Sequence, residues 1–395
     1  MQTVPASEIA NRIVTLQALL QKSNIDAAVI RQNADLFYFT GTVQDSHLIV
    51  PATGQPVLMV RRSIMRAEAE SPIRPVIPMG RLGELHDALL SACPDAKVLG
   101  FELDVLPANM FFTYDEKIFP KQQIVDVSPL IRQIRMIKSP WEIDVMRRSA
   151  EISRIVAESV PGLLKPGKTE LELTAELECI ARKAGNTGML RIRSFNLEMG
   201  FGHILSGPNA AVTSYTDSPT GGPGLSTAFG QGAGERKIQP GEIVSVDIMT
   251  CTGGYMNDQT RNYCIGPPPV RLGKAYDFVK SVHVRFRDMA RPGAVTGQLY
   301  QQTLKWAEEA GWAKWFMGHA EPKITFVGHG LGIEVDEFPF IAQGHKMPLQ
   351  EGMVFAFEPK VIIPDEGIAG LENSYLVTSD GIESLNSATE ELVIV

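Results

Sequence analysis

The chain has 395 residues, 44% of them apolar and 21% charged, with a formal net charge of −8. That length suggests two domains, and the apolar content supports a large core and excludes a disordered chain. The acidic balance argues against nucleic acid as a partner, because phosphate binding needs a basic face, and no run of about 18 apolar residues occurs, so no membrane span is expected.

The opening stretch, MQTVPASEIANRIVTLQALL, has no basic flank, apolar centre and small-residue cleavage site in sequence. It reads as an amphipathic helix over about 8–23 rather than a signal peptide. The last residues, ELVIV, carry no prenylation or retention signal. After the first helix, AAVIRQ, LIVPA and PVLMVRR read as short apolar strands, a helix is expected near 82–92, and KVLGFE reads as another strand. Alternation of this kind predicts an α/β domain over residues 1–130. It holds no cluster of ionisable residues that suggests catalysis, so a scaffolding or oligomer-forming role is expected. Cys93, Cys179, Cys251 and Cys264 fit no CxxC spacing. They read as free thiols in a reducing cytoplasm, although Cys251 lies close enough to Asp247 for a role near a site there.

The segment SPLIRQIRMIKSPWE reads as a junction, and Ser139-Pro140 opens a strong helix with acidic residues in its first turn. The second domain, 131–395, repeats itself. KPGKT (165–169) and RPGAV (291–295) each follow a long helix and open another, which ends in KAG or EAG. IQPGEIVSVD ends at Asp247, and LQEGMVFAFE ends at Glu358. Each half therefore reads helix, helix, antiparallel strands. Two such halves about a pseudo-twofold axis would form one curved sheet covered by helices.

The ionisable residues of this domain fall on its strands. Asp247 is expected at the end of the strand IVSVD, and Asp258 lies on the returning strand YMNDQTRNY. Antiparallel neighbours on one face bring two carboxylates together, where they raise each other's pKa unless a cation neutralises them. His329 stands between glycines in FVGHGLG, Glu358 ends an apolar strand, and Glu372 enters one in AGLENSYLV. Each alone has an ordinary structural explanation. Together, four carboxylates and an imidazole form the donor set that suits paired first-row ions, and such ions polarise carbonyls and activate water.

The order Asp, Asp, His, Glu, Glu, with DQTR after the second Asp and GHG around the histidine, resembles the aminopeptidase P, prolidase and creatinase family of clan M24. QNADLFYFTG (32–41) and RQIRMIKSPWEIDVMRRSA resemble that family's N-terminal domain and linker, so the likeness covers nearly the whole chain. It implies an α+β fold: a creatinase-like α/β domain, then a pita-bread domain with pseudo-twofold symmetry and a curved antiparallel sheet. It also implies two divalent metal ions (manganese, cobalt, zinc or iron, with manganese favoured) on Asp247, Asp258, His329, Glu358 and Glu372. Creatinase-type members lack these ligands, so the full set points to the metal-dependent branch. Glu358 would also take a proton from water. The expected enzyme is a cytoplasmic, homodimeric metallopeptidase, an Xaa-Pro dipeptidase or aminopeptidase P type, taking a short peptide and neither nucleic acid nor membrane.

Three positions depart from the pattern. Ser214 and Asp336 stand where the family usually has histidines, and Gly370 stands where an arginine is often found. His203, in GFGHILSG, and Asp336 are therefore the candidates for the missing proton carriers. The glycine-rich stretch 218–237 has no phosphate-loop context and reads as a loop at the rim of the site or a plain linker. These departures keep two alternatives open: a non-peptidase enzyme of the same fold working on a small molecule by C–N hydrolysis or lysis, and an inactive peptide-binding protein.

Overall fold

The computed structural model describes residues 3–321 and 323–395, so Met1 and Gln2 of the opening stretch lie outside it. The chain divides into two units, Met1–Arg135 with Arg193–Phe195, and Met136–Ile192 with Asn196–Val395.

The first unit runs α1 (Ala6–Lys22), β1 (Ala27–Ile30), α2 (Asn33–Thr40), β2 (Ser46–Pro51), β3 (Val57–Val60), α3 (Ile64–Glu70), β4 (Val76–Pro78), α4 (Glu84–Ala92), β5 (Val98–Phe101), α5 (Ala108–Thr113), β6 (Gln123–Asp126) and α6 (Ser128–Arg135). Its strands form one sheet in the order β4-β3-β2-β1-β5-β6. Ile9, Ile13, Leu16 and Leu20 recur at helical spacing on α1 and are buried, as one apolar stripe requires. The apolar runs read as strands are β1, β2, β3 and β5, and their side chains Val29, Ile49, Met59 and Leu99 share one core.

His47 sits on β2 within this unit, 2% exposed, with Nε2 2.6 Å from the Tyr114 hydroxyl. Burial, with Arg31 and Arg61 nearby, lowers its pKa from 6.5 to about 3. Below 6.5 the unfolded chain binds a proton that the folded histidine refuses, so stability falls as pH drops through that window. Between about pH 6.5 and 5 this residue should cost roughly 2 kcal/mol. Denaturant titrations of the wild type and His47→Gln at both pH values measure it, and the variant should show the smaller drop.

The second unit opens on α7 (Pro140–Leu163). Ser139 and Glu142 cap it reciprocally, each side chain bonding the other's backbone N–H. Then follow α8 (Glu170–Lys183), β7 (Gly202–Ser206), β8 (Ile243–Thr252), β9 (Tyr255–Cys264), α9 (Val270–Met289), α10 (Thr296–Glu309), β10 (Phe326–Leu331), β11 (Val335–Ala342), β12 (Val354–Phe357), β13 (Lys360–Ile363), β14 (Gly367–Gly370), β15 (Asn373–Val377), β16 (Ile382–Ser384) and β17 (Val393–Ile394). The duplicated proline-glycine turns open α8 and α10, each of 14 residues. Leu173 and Leu177 of α8 pack with β7 and β8 side chains in one core. Phe286 of α9 and Trp306 of α10 pack with Phe355, Phe357 and Tyr375 in another. Each half's helices thus cover that half's strands.

The curved sheet is built from three hydrogen-bonded pieces: β17-β9-β8-β7, β11-β10-β12-β15-β16, and β13-β14. Where β9 meets the start of β15, the Glu372 N–H donates to the Thr260 carbonyl at 3.3 Å, and a side chain makes the neighbouring link. Ser374 Oγ accepts from the Asp258 N–H at 3.1 Å and donates to the Asp258 carbonyl at 3.0 Å. The seam carries Asp258 and Glu372, so this junction of the two pieces falls at the site. Among the described residues no helix is long and apolar enough to cross a membrane.

Candidate metal centre

Gly253 and Gly254 take φ of 58° and 86°. This is the left-handed pair that a two-residue hairpin demands, and it sets the register of β8 against β9. Asp247 pairs with Thr260 and Met249 with Asp258. The two aspartates are therefore diagonal neighbours on one face. Asp247 is not at a strand end, as IVSVD suggested, but midway along β8, because β8 and β9 pair over their full length.

His329 lies on β10, between β11 and β12. A Cβ at Gly328 would stand 2.4 Å from the Ala356 carbonyl, and one at Gly330 would stand 2.4 Å from that of Glu337. The two glycines let β10 fit between its neighbours, and His329 is the side chain left to face the site. Its Nε2 lies 3.8 Å from Asp258 Oδ2 and 3.7 Å from Glu358 Oε1. Its Nδ1 lies 3.3 Å from the Gly330 carbonyl and 3.6 Å from Asp336 Oδ1. Asp336 takes a φ of 64°, a costly conformation for a residue with a side chain. It faces the side of the imidazole away from the other carboxylates. A carboxylate there fixes the tautomer and leaves Nε2 free to bind a metal.

Glu358 follows β12 directly and Glu372 precedes β15. Thr260 Oγ1 donates to Glu372 Oε2 at 2.8 Å. The backbone around Glu372 is held on two sides. His283 Nε2 lies 2.9 Å from the Leu371 carbonyl, and Arg261 Nη1 donates to the Glu372 carbonyl at 2.7 Å.

Asp258, His329 and Glu372 offer ligand atoms that all lie within 4.8 Å of one another. Asp258 Oδ1 is buried and has no hydrogen-bond partner, so a donor oxygen is left over where a cation would use it. One imidazole and two carboxylates suit a divalent first-row ion. Asp247 and Glu358 are engaged differently. Lys360 Nζ lies 2.9 Å from Asp247 Oδ2, 2.7 Å from Glu358 Oε2 and 3.5 Å from Glu372 Oε2. The lysine stood in plain view in FAFEPKVII, and a charge inside an apolar run needs a buried partner. That was the signal for it.

The electrostatics follow from this layout. Burial raises Asp258 well above the usual carboxylate range, with Glu372 and Asp247 adding to it. Burial also pushes Glu372 up to about 7, although Lys360 pulls against it. Burial would raise Asp247 too, but the Lys360 ammonium holds its carboxyl below the usual value. Burial would depress His329, and Asp336 and Glu358 more than offset it, so its pKa is raised.

His203 pairs with Asp247 across β7 and β8, which puts both side chains on the face of the site. Burial, aided by Lys360, lowers its pKa, so it is neutral near pH 7. Its Nε2 lies 2.6 Å from Gln231 Nε2, and Ser214 Oγ lies 3.4 Å from Gln231 Oε1. The glycine-rich stretch thus supplies the link between Ser214 and His203, through Gln231, a residue the sequence reading did not single out. Cys251 is buried on β8, with its N–H and carbonyl bonded to Asn186 and Thr187. All four cysteines are free.

Residues 144–379 match the model of metallopeptidase family M24, and residues 12–137 match that of the creatinase/prolidase N-terminal domain. A probable dipeptidase PepE of Mycobacterium tuberculosis is 27% identical over 99% of this chain and 97% of its own length. An Xaa-Pro dipeptidase of Pyrococcus furiosus is 24% identical over 97% of this chain and 99% of its own. Among solved structures, dipeptidase PepE from Mycobacterium ulcerans superposes with a TM-score of 0.82 at 26% identity, covering both chains fully. An Xaa-Pro dipeptidase from Bacillus anthracis gives 0.84 at 23% identity, over 98% of this chain and 100% of the other. With the match running from the helix that follows the junction to the strand beyond Glu372, the chain belongs to metallopeptidase family M24.

Proposed function

We propose that this chain is a metal-dependent hydrolase of short peptides, of the Xaa-Pro dipeptidase type. The observation that carries the reading is the convergence of Asp258, His329 and Glu372 on one buried point in a chain of this family. The proline preference rests on the printed names of its relatives.

A divalent ion held by these residues supplies Lewis acidity toward a peptide carbonyl and toward water. The chain supplies the rest. Asp336 and the Gly330 carbonyl orient the imidazole. Glu358 Oε2 is occupied by Lys360, so Oε1, on the His329 side, is the oxygen available to take a proton. His203 is a second carrier, held neutral beside Asp247 and aligned by Gln231. His203→Ala should lower turnover by about 100-fold with metal content unchanged. Turnover equal to wild type would remove it from the mechanism. A cytoplasmic homodimer belongs to this reading, and the free cysteines support a reducing compartment.

The test is hydrolysis of Gly-Pro, Ala-Pro and Xaa-Pro-Xaa by protein loaded with Mn(II), Co(II), Zn(II) or Fe(II), with a chelated control. Cleavage that needs metal and proline is expected. A second reading, small-molecule C–N hydrolysis or lysis, draws on Lys360, which sets a fixed cation among the carboxylates. Cyclic amidines and sulfonium acids in the same panel separate the two, and inactivity toward proline peptides with activity toward these would replace the peptidase.

A further inference from the structure

We propose that the Lys360 ammonium takes the place of one of the two ions, so that the site holds a single divalent metal on Asp258, His329 and Glu372. This rests on the reading of the site as a metal centre and sets its stoichiometry.

Lys360 reaches between Asp247 and Glu358 and touches both at hydrogen-bond distance, with Glu372 at 3.5 Å. Those carboxylate oxygens are the ones a second ion would need, and the ammonium already bridges them. Charge alone does not decide the count, since one divalent ion leaves the four carboxylates one positive charge short and two leave the site one over. Space decides it. An ion bound to Asp247 and Glu358 at ordinary metal–oxygen lengths of about 2.0–2.2 Å would occupy the position of Nζ.

The lysine is also built in. It is 1% exposed and sits on β13 directly opposite Gly370 of β14. A Cβ at 370 would stand 2.9 Å from Lys360 Cγ and 3.5 Å from Cδ, so the stem lies over a position that carries no side chain. The Lys360 carbonyl accepts from Met317 N–H, which fixes the strand from its other edge. The remaining donors are left intact. Asp258 Oδ1 is unpartnered and buried, and His329 Nε2 and Glu372 stay within reach of it.

Three measurements on the full chain test this. Metal-stripped protein is titrated with Mn(II) by calorimetry, its metal content is measured after dialysis, and its electron paramagnetic resonance spectrum is recorded. The wild type should bind one equivalent and show an isolated Mn(II) signal. Lys360→Ala, which vacates the position, should bind two and show a spin-coupled pair. Lys360→Met keeps the stem over Gly370 but ends one atom short of Nζ and carries no charge, so it should also bind two. Two equivalents in the wild type overturn the proposal, and so does one equivalent in both wild type and Lys360→Ala. No binding at all by the wild type overturns the metal-centre reading itself, an outcome distinct from a wrong count. If Lys360→Ala does not fold, Lys360→Met takes its place, and one equivalent in it and in the wild type overturns the proposal likewise.

Discussion

Asp258→Asn should lose tight metal binding yet melt at a higher temperature than the wild type when both are metal-free. Asp258 is 5% exposed, and in the metal-free protein its carboxyl is held well above the usual range by burial, Glu372 and Asp247. Its Oδ1 has no partner. A buried, unpaired polar group costs about 1–3 kcal/mol, and an amide removes the charged state altogether. With metal the order reverses. A bound ion stabilises the wild type by mass action, and the variant lacks a donor. Loss of a mere outer partner costs about 10–100-fold in affinity, so loss of a ligand should cost more than about 100-fold. Thermal melts with and without Mn(II), with a calorimetric titration, give both halves. If the metal-free variant melts lower, Asp258 is held by contacts other than those seen. If its metal affinity is unchanged, Asp258 is not a ligand.

Much of this site was legible because strands carry it. The hairpin glycines Gly253 and Gly254, the alternation of β8 and β9, and the glycines flanking His329 are local signals, and each acts through backbone geometry that a short window of sequence contains. The duplication reported the two helix pairs for the same reason. What stayed hidden depends on contacts between segments far apart in the chain. Lys360 belongs to the site because its ammonium reaches Asp247, 113 residues away in the chain, and the apolar run around it shows that a buried partner is needed without naming which. Gln231 reaches His203 only through the fold of a glycine-rich stretch with no period of its own. Asp336 was singled out as a proton carrier. Its place 3.6 Å from His329 Nδ1 supports the different task of orienting the imidazole.

Arg261, the arginine of DQTR, had no role in the sequence beyond its part in the motif, and its substitution should carry the largest stability cost in the second unit. Its guanidinium is buried and donates to the carbonyls of Thr260, Glu372 and Ala388 and to Asn373 Oδ1, at 2.8, 2.7, 3.1 and 2.8 Å. It thus ties β9 to the segment that carries Glu372 and to the C-terminal stretch. Arg261→Ala takes the donor from the Glu372 and Ala388 carbonyls and Asn373 Oδ1 in a dry environment, and roughly 3–5 kcal/mol should be lost. Arg261→Lys is the sharper probe. One ammonium cannot reproduce a planar fork with donors on both sides, so stability should fall by less while the Glu372 backbone still loses its anchor. Metal affinity should then drop by about 10–100-fold, as for other outer partners. Denaturant midpoints and Mn(II) titrations of the folded Lys variant separate the two effects. Undiminished metal affinity would show that Thr260 and the Ser374 seam position Glu372 without Arg261. A fall in affinity at near-native stability would place Arg261 among the residues that shape the metal centre.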